Sequence, residues 1–269
     1  MVPYNTCMAQ SSLPQSPFAA LADAFEQRPM RRISVEEVHR IITAHELYVQ
    51  SGRKQGARGD LSSADLTRMD FARKILRRVR MDKSQLMGAD FTDANLERAN
   101  LVGAKLQGAR LTGACLRKAR LSGVNLASAN LENADLSEAD MEFALFPTAT
   151  LIGAVLRGAD MSGAILERAD LRSTDLRAAN LRGADLRQVQ LDGADLRDAR
   201  IGGAFLGEAS LNGADLRGAY LRAANIESAD LRGSDLRGVV GLTKAQLSTA
   251  RLNPNTRLSN VIFLEENDS

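Results

Sequence analysis

Large apolar residues recur at every fifth position of this chain, from Leu61 to Leu236, without insertion or deletion. This register contains 36 five-residue units, and a small residue, usually Ala, lies two positions before each large one. Neither regular element has this period. Five residues advance an α-helix by about 140° net, and an odd period sends successive residues to opposite sides of a strand. The pattern therefore predicts short extended segments joined by two-residue corners, with the small and the large residue pointing inward.

The corner positions are rich in glycine, for example at Gly103 and Gly108, as expected where the backbone turns sharply. Units such as A-D-L-R-G and A-N-L-x-x across residues 59–240 resemble the pentapeptide-repeat family. The resemblance implies an all-β solenoid, a right-handed quadrilateral β-helix with four units per coil. The 36 units would then form nine coils, and at about 4.8 Å per coil the rod would be about 43 Å long.

The segment before the repeat predicts a helical cap. Residues 1–32 are interpreted as a disordered tail that contains one candidate short helix, FAALADAFEQRP, which would pack on its own chain or dock in a partner groove. Residues 33–52 predict an N-terminal capping helix, because Ser34 and Glu37 have capping-box spacing and an apolar stripe follows them. The sequence ISVEEVHRIITAHELYV also resembles bacterial members of the family.

The segment after the repeat predicts closure of the other end. Residues 241–269 are interpreted as a C-terminal helical cap followed by an apolar segment and an acidic tail. The cap begins at a second capping-box pattern, from Thr243 to Gln246.

Residues 53–88 are interpreted as basic, irregular first coils. Between residues 53 and 83 there are ten Lys and Arg against four Asp. The small-residue position here reads Met69, Lys74, Val79 and Ser84, which predicts coils that are bulged or wider than the rest. An excess of cations suggests contact with an anionic surface. The residues predicted to form this anionic-surface patch are Arg73, Lys74, Arg77, Arg78 and Arg80.

Four units per coil would stack residues that are twenty apart, and this sorting reveals a column of arginines. Its members are Arg157, Arg177, Arg197, Arg217 and Arg237. Aspartates two residues earlier, from Asp175 to Asp235, form a column beside it. The two columns predict either a self-neutralising ladder or a recognition strip for a partner with regularly spaced carboxylates or phosphates. Repeat duplication without a selected role would also produce them.

A neighbouring face carries apolar residues at outward positions. These residues are Phe143, Leu145, Ile165 and Phe205. They predict a contact patch or a dimer surface, unless a local bulge in the less regular segment MEFALFPTAT covers them.

Composition and motifs limit the remaining chemistry. The net charge is +2, which argues against a global nucleic-acid binder and against a global acidic mimic. No catalytic motif, cofactor site or metal site is predicted, since His39 and His45 fall on different faces of one helix. Cys7 and Cys115 are interpreted as reduced thiols. With no secretory signal and no apolar run long enough to span a membrane, a bacterial cytoplasmic protein is expected.

The function predicted first is a non-catalytic scaffold that presents its faces to a protein partner or a homodimer mate. The family resemblance implies an alternative, a DNA mimic that binds DNA gyrase, which the positive charge and the arginine column disfavour. A third alternative is contact with nucleic acid or membrane lipid through residues 53–83.

Overall fold

The computed structural model describes residues 30–263, and its repeat is a four-sided β-helix. Parallel bridges join residues twenty apart, beginning at Asp60–Arg80 and continuing to Tyr220–Val240. The backbone hydrogen bonds of each side join it to the sides of the coils before and after it. The amide of Leu186, for example, donates to the carbonyl of Phe205 at 2.8 Å. The predicted stacking of residues twenty apart is confirmed.

The inside of the coil is a continuous column of the large apolar residues. Every one of the 36 positions from Leu61 to Leu236 is at most 2% exposed. Each buried side chain of this size stabilises the fold by about 1.5–3 kcal/mol. Phe146 occupies one of these positions, and Phe71 stacks on Phe91 with ring centroids 4.9 Å apart. The core thus extends along the whole repeat instead of forming one globular centre.

Each corner is a tight turn whose second corner residue has positive φ, between 53° and 70°. The carbonyl before the corner accepts a hydrogen bond from the amide after it, as from Ala184 to Leu181 at 3.1 Å. Glycine fills many of these positions, but Arg68 and Phe143 also adopt this conformation, which costs a non-glycine residue about 1–2 kcal/mol. The regular core therefore imposes the corner geometry even where the residue does not favour it.

The first coils are regular, so the prediction of irregular coils over residues 53–88 was wrong for their backbone. Asp60–Arg80 and Asp65–Gln85 bridge with the same spacing as all later pairs. Two of the large inward residues, Met69 and Lys74, belong to the first coil, and Val79 begins the second coil directly over Gly59. The first coil has a helix on its outer side instead of another coil, so its inward positions need not be small.

This helix, α1, spans Val35–Gln50 and buries Val38, Ile42 and His45. It replaces a missing coil in the hydrogen bonding, because the amide of Ile75 donates to a carboxylate oxygen of Glu46 at 3.1 Å. From Arg80 onward the equivalent amide donates to a carbonyl of the preceding coil. Helix α1 is therefore continuous with the core of the repeat.

The N-terminus of α1 carries half of the predicted capping box. Ser34 accepts a hydrogen bond from the amide of Glu37 at 3.2 Å. The carboxylate of Glu37 does not return to the amide of Ser34, because Arg31 binds it at 2.6 Å. The helix start predicted from the sequence is confirmed, and the reciprocal bond is not formed.

The chain after the repeat forms strand β1 (Val240–Leu242), helix α2 (Lys244–Thr249) and strand β2 (Ile262–Phe263). The capping box from Thr243 to Gln246 is complete, as predicted. Strand β2 pairs in parallel with β1. The candidate helix within FAALADAFEQRP and the acidic end of the chain lie outside the described residues and stay predictions.

Candidate interaction surfaces

The exterior of the repeat has four faces and four edges, and each is a stack of residues twenty apart. The bridge residue of each unit lies on a face, and the two corner residues that follow the large apolar residue lie on an edge. Two of the four edges carry the residues that the sequence singles out. The first edge consists of the corner residues that follow the face with bridge residues Ile75 to Asp235. The second edge consists of the corner residues that precede the face with bridge residues Leu145 to Phe205.

The predicted arginine column lies on the first of these edges, and its arginines are bound by aspartates. Arg197 donates from Nε and Nη2 to the two carboxylate oxygens of Asp195, at 2.8 and 2.6 Å. Its Nε also lies 3.7 Å from Asp215 of the next coil. We call the five arginines and their aspartates the Arg/Asp ladder. Its members are Arg157, Arg177, Arg197, Arg217 and Arg237, with Asp175, Asp195, Asp215 and Asp235.

The ladder neutralises most of its own charge, with four aspartates against five arginines. Hydrogen bonds from the neighbouring guanidinium lower the pKa of Asp195, Asp215 and Asp235, and the same contacts raise the pKa of Arg197. A ligand with carboxylates or phosphates would have to displace a bidentate pair at each arginine from Arg177 to Arg237, and a single ion pair at Arg157. The geometry favours the self-neutralising interpretation over an open recognition strip.

The N-terminal half of the same edge is different. At the positions of the ladder aspartates it has Ile75, Asn95 and Cys115, so its cations lack the partner two residues earlier. We call this stretch the basic edge. It consists of Arg58, Arg77, Arg78, Arg98, Arg117 and Lys118.

Carboxylates near the basic edge are few. Within the described residues, Arg58 and Arg78 form no ion pair. Glu97 is shared by Arg77, at 2.8 Å, and Arg98, at 3.9 Å. At the far end Lys118 pairs with Glu138 at 3.1 Å, and Arg117 lies 3.9 Å from Asp135. The edge thus keeps an excess of positive charge.

The anionic-surface patch predicted from the sequence is not one cluster. Arg77 and Arg78 do share a corner on the basic edge. Arg80 lies on the adjoining face and pairs with Asp60 at 2.9 Å. Arg73 is exposed on a different corner, and Lys74 occupies an inward, half-buried position. Linear proximity grouped them, whereas the coil separates residues five apart onto different sides.

The second edge carries exposed apolar side chains, and we call it the apolar edge. Within the described part of the repeat, the exposed large apolar residues are Phe143 at 61%, Ile165 at 39%, Phe205 at 51% and Tyr220 at 38%. All four lie at this edge or beside it. Leu145, which was predicted to belong to the patch, is half-buried.

Glycines at two corners leave space for the aromatic rings of the apolar edge. The ring of Phe143 lies over Gly163, where an added Cβ would be 2.7 Å from the ring. Tyr220 similarly lies 3.3 Å from the Cβ position of Gly202. Bridges continue without interruption through the segment MEFALFPTAT, so no bulge there covers the patch. Sorting the residues into columns of positions twenty apart did not identify Tyr220 as part of this patch. Tyr220 lies on the face at the other side of the corner, in a different column from Ile165 and Phe205.

Catalytic chemistry has little support in this part of the chain. Among residues 30–263 no group of three or more His, Cys, Asp or Glu side chains could hold a metal ion. An open cleft of about 540 Å³ is lined by residues that include Asp215, Asp235 and Arg257. Its two carboxylates are held by arginines and do not form an acid–base pair. Cys115 is half-buried with a free thiol.

No helix among the described residues is long and apolar enough to cross a membrane.

Several solved structures are similar to this chain. HetL, a pentapeptide repeat protein involved in heterocyst differentiation regulation from the cyanobacterium Nostoc sp. strain PCC 7120, is 29% identical. The match covers 86% of this chain and 94% of HetL, with a TM-score of 0.40. Full-length QnrB1, a plasmid-mediated fluoroquinolone resistance protein, is 21% identical over 67% of this chain and 89% of QnrB1, with a TM-score of 0.42. No curated protein matches the chain by sequence.

The family model described as pentapeptide repeats matches in eight copies, and the matched stretches together run from residue 60 to residue 238. This is well over half of the chain and coincides with the four-sided coil. The chain therefore belongs to the pentapeptide-repeat family, and its solenoid is the right-handed β-helix of that family.

Proposed function

We propose that this protein is a non-catalytic scaffold of the bacterial cytoplasm that binds a protein partner through the apolar edge. The observation that supports the proposal is the alignment of Phe143, Ile165, Phe205 and Tyr220 along one edge. The large apolar residues at the inward positions of the solenoid are all buried, so these four stand out on its surface. Exposed apolar side chains that lie together on a rigid support are typical of interaction sites.

The support for these side chains is stiff. We propose that nine coils closed by α1 and by the segment after the repeat form one rod. A partner that binds along the apolar edge would meet aromatic side chains fixed to a continuous hydrogen-bonded ladder. Little conformational entropy would be lost on binding, because the backbone is already ordered.

The Arg/Asp ladder has a supporting role in this proposal. Its guanidinium groups are bound to aspartates, so it contributes solubility and coil stacking rather than the principal contact. A partner would reach these arginines only at the rim, where exposed ion pairs contribute about 0–1 kcal/mol each.

Site-specific photo-crosslinking tests the proposal. A photoreactive amino acid replaces Phe205 in the full chain, and a second variant carries it at Gln190, which is exposed on another face. We expect a discrete crosslinked product from position 205 and none from position 190. A product of twice the protomer mass, formed by the purified protein alone, would identify the partner as a second copy.

A second substitution on the same edge as the photoreactive residue distinguishes specific binding from random crosslinking. Adding Phe143→Ser to the position-205 variant should weaken the product, because Phe143 lies on the same edge. Equal crosslinking from both positions, or a product unaffected by Phe143→Ser, would contradict the proposal.

Binding to DNA gyrase as a DNA mimic is the second candidate. Residues 121–170 hold eight Asp and Glu against two Arg, so the middle coils are acidic. The rod as a whole is not acidic, however, and the aspartates of the later coils are neutralised by arginines. A gyrase supercoiling assay with and without the protein tests this candidate. If the protein neither inhibits supercoiling nor protects gyrase, this candidate function is ruled out.

A further inference from the structure

We propose that the basic edge binds the phosphate backbone of double-stranded DNA without reading its sequence. This inference is independent of the proposed protein interaction, which uses a different edge. It rests on the spacing of the cations, on the missing carboxylates beside them and on the side chains that surround them.

The cations of the basic edge form a straight row. Arg78, Arg98 and Lys118 occupy the same corner position in successive coils, and Arg58, which lies just before the first coil, donates from Nε to the carbonyl of Arg78 at 2.7 Å. At about 4.8 Å per coil the three corner positions span about 10 Å along the rod. Arg77 and Arg117 lie at the preceding corner position of the same stack.

The contrast within one edge shows that this row is not a by-product of the repeat. In the C-terminal half, each D-L-R unit supplies an aspartate that binds its own arginine. In the N-terminal half, Ile75, Asn95 and Cys115 replace that aspartate. Within the described residues, Arg58 and Arg78 thus stay available to an external anion, while Arg98 and Lys118 each have a single carboxylate partner, Glu97 at 3.9 Å and Glu138 at 3.1 Å.

A duplex fits this row better than other anions do. The two phosphate backbones of B-DNA border grooves about 12 and 6 Å wide, so a rigid row of about 10 Å that lies across the minor groove would contact phosphates of both strands. An anionic membrane favours cations combined with inserted apolar side chains, but the exposed apolar residues of the repeat lie on another edge. The row includes no aromatic residue on which unpaired bases could stack.

The electrostatic origin sets the expected affinity. Non-specific duplex binding has dissociation constants of about 10⁻⁴–10⁻⁶ M at physiological salt. Each phosphate contact contributes about −0.9 to the slope of log K against log salt concentration. Removing three cations of the row should therefore reduce the slope by about 2.7.

Fluorescence anisotropy with a labelled 20-base-pair duplex tests the proposal on the full-length protein. One variant carries Arg78→Gln, Arg98→Gln and Lys118→Gln on the basic edge. The control carries Arg177→Gln, Arg197→Gln and Arg217→Gln on the Arg/Asp ladder, which changes the net charge by the same amount. We expect at least a tenfold loss of affinity and the smaller salt slope for the first variant, and less than a threefold loss for the control.

Three outcomes would overturn the proposal. One is the absence of duplex binding at low salt, and another is an equal loss in both variants, which would indicate a response to net charge alone. The third is tighter binding to poly-L-glutamate or to phosphatidylserine vesicles than to the duplex, which would assign the edge to an acidic protein or to a membrane. Circular dichroism of each variant confirms that it is folded before the affinities are compared.

Discussion

The backbone amide of Gly59 donates a 3.0 Å hydrogen bond to Nδ1 of His45, and this bond joins helix α1 to the first coil. His45 is fully buried. Burial lowers its pKa, the backbone of Arg77 opposes this through a hydrogen bond, the positive charge of Arg58 lowers the pKa further, and the negative charge of Glu46 opposes the change; the net effect is a lowered pKa. His45 is therefore held in its neutral form, in which Nδ1 can accept.

The first prediction concerns pH. Because the folded pKa of His45 lies below the unfolded value of about 6.5, the unfolded chain binds a proton first as the pH falls. The free energy of unfolding should be greatest above pH 6.5 and fall as the pH drops from there towards the folded pKa. Chemical denaturation at pH 8 and pH 5 measures this change.

Two substitutions isolate the contribution of His45. In His45→Asn the amide oxygen can accept from Gly59 without titrating, so the difference in stability between pH 8 and pH 5 should shrink. His39 is exposed on the same helix, and His39→Asn should leave the difference as it is. If His45→Asn keeps the full pH dependence, the buried histidine is not its source.

The second prediction tests the inward and outward positions. Ala184 is fully buried whereas Arg182, two residues earlier, is exposed. Ala184→Leu overpacks the coil and should lower the free energy of unfolding by about 1–3 kcal/mol. Arg182→Leu should change it by less than about 0.5 kcal/mol. Urea denaturation of both variants provides the comparison, and equal stabilities would contradict the assignment of the two positions.

The third prediction uses two glycines with the same backbone. Gly163 and Gly183 have φ of 63° and 64°, but a Cβ at Gly163 would meet the ring of Phe143 while a Cβ at Gly183 would meet nothing within 4 Å. Gly183→Ala should cost about 1–2 kcal/mol from the backbone alone. Gly163→Ala should cost the same amount and also displace Phe143.

Thermal denaturation compares the stabilities of these two variants, and crosslinking from position 205 reports the state of the apolar edge. Only Gly163→Ala should weaken the crosslinked product. A loss of the product in Gly183→Ala would show that the method responds to corner strain rather than to the position of Phe143.

The fourth prediction concerns the Arg/Asp ladder. Asp195 accepts two side-chain hydrogen bonds from Arg197 and lies 3.4 Å from Arg177. Its lowered pKa means that the stabilisation is present above the unfolded value of about 3.9 and is lost as the pH falls through the folded pKa. Asp195→Asn should cost about 0.5–1 kcal/mol at pH 7.

The cost of Asp195→Asn should decrease in 1 M NaCl, because exposed ion pairs are screened. Urea denaturation at low and high salt measures both values. A loss well above this range that salt does not change would indicate a core role for Asp195, in contradiction to the ladder.

The core was predictable because its information is local and periodic. Leu and Ala at fixed positions in each unit determine which side chains point inward, and the helix start at Ser34 follows from capping chemistry. The tolerance of Lys74 in the first coil was not predictable in this way. It depends on helix α1 replacing a coil there, which is a relationship between distant segments.

The surfaces were predictable only in part, because they depend on which corner two residues share. Sorting residues by twenty placed Phe143 and Phe205 near each other but left out Tyr220, which reaches the apolar edge from an adjoining face. The binding of Arg197 by Asp195 was one of several interpretations of a repeated D-L-R unit. Side-chain geometry was needed to decide between them.

The central claim is that two edges of one rod have separate roles, and one measurement addresses it directly. Two variants are compared, Phe143→Ser/Phe205→Ser on the apolar edge and Arg78→Gln/Arg98→Gln/Lys118→Gln on the basic edge. For each, we measure duplex binding and crosslinking from a photoreactive amino acid that replaces Ile165. We predict that the first loses the crosslinked product and keeps duplex binding, and that the second does the reverse. Loss of both properties in either variant, or of neither in both, would contradict the account.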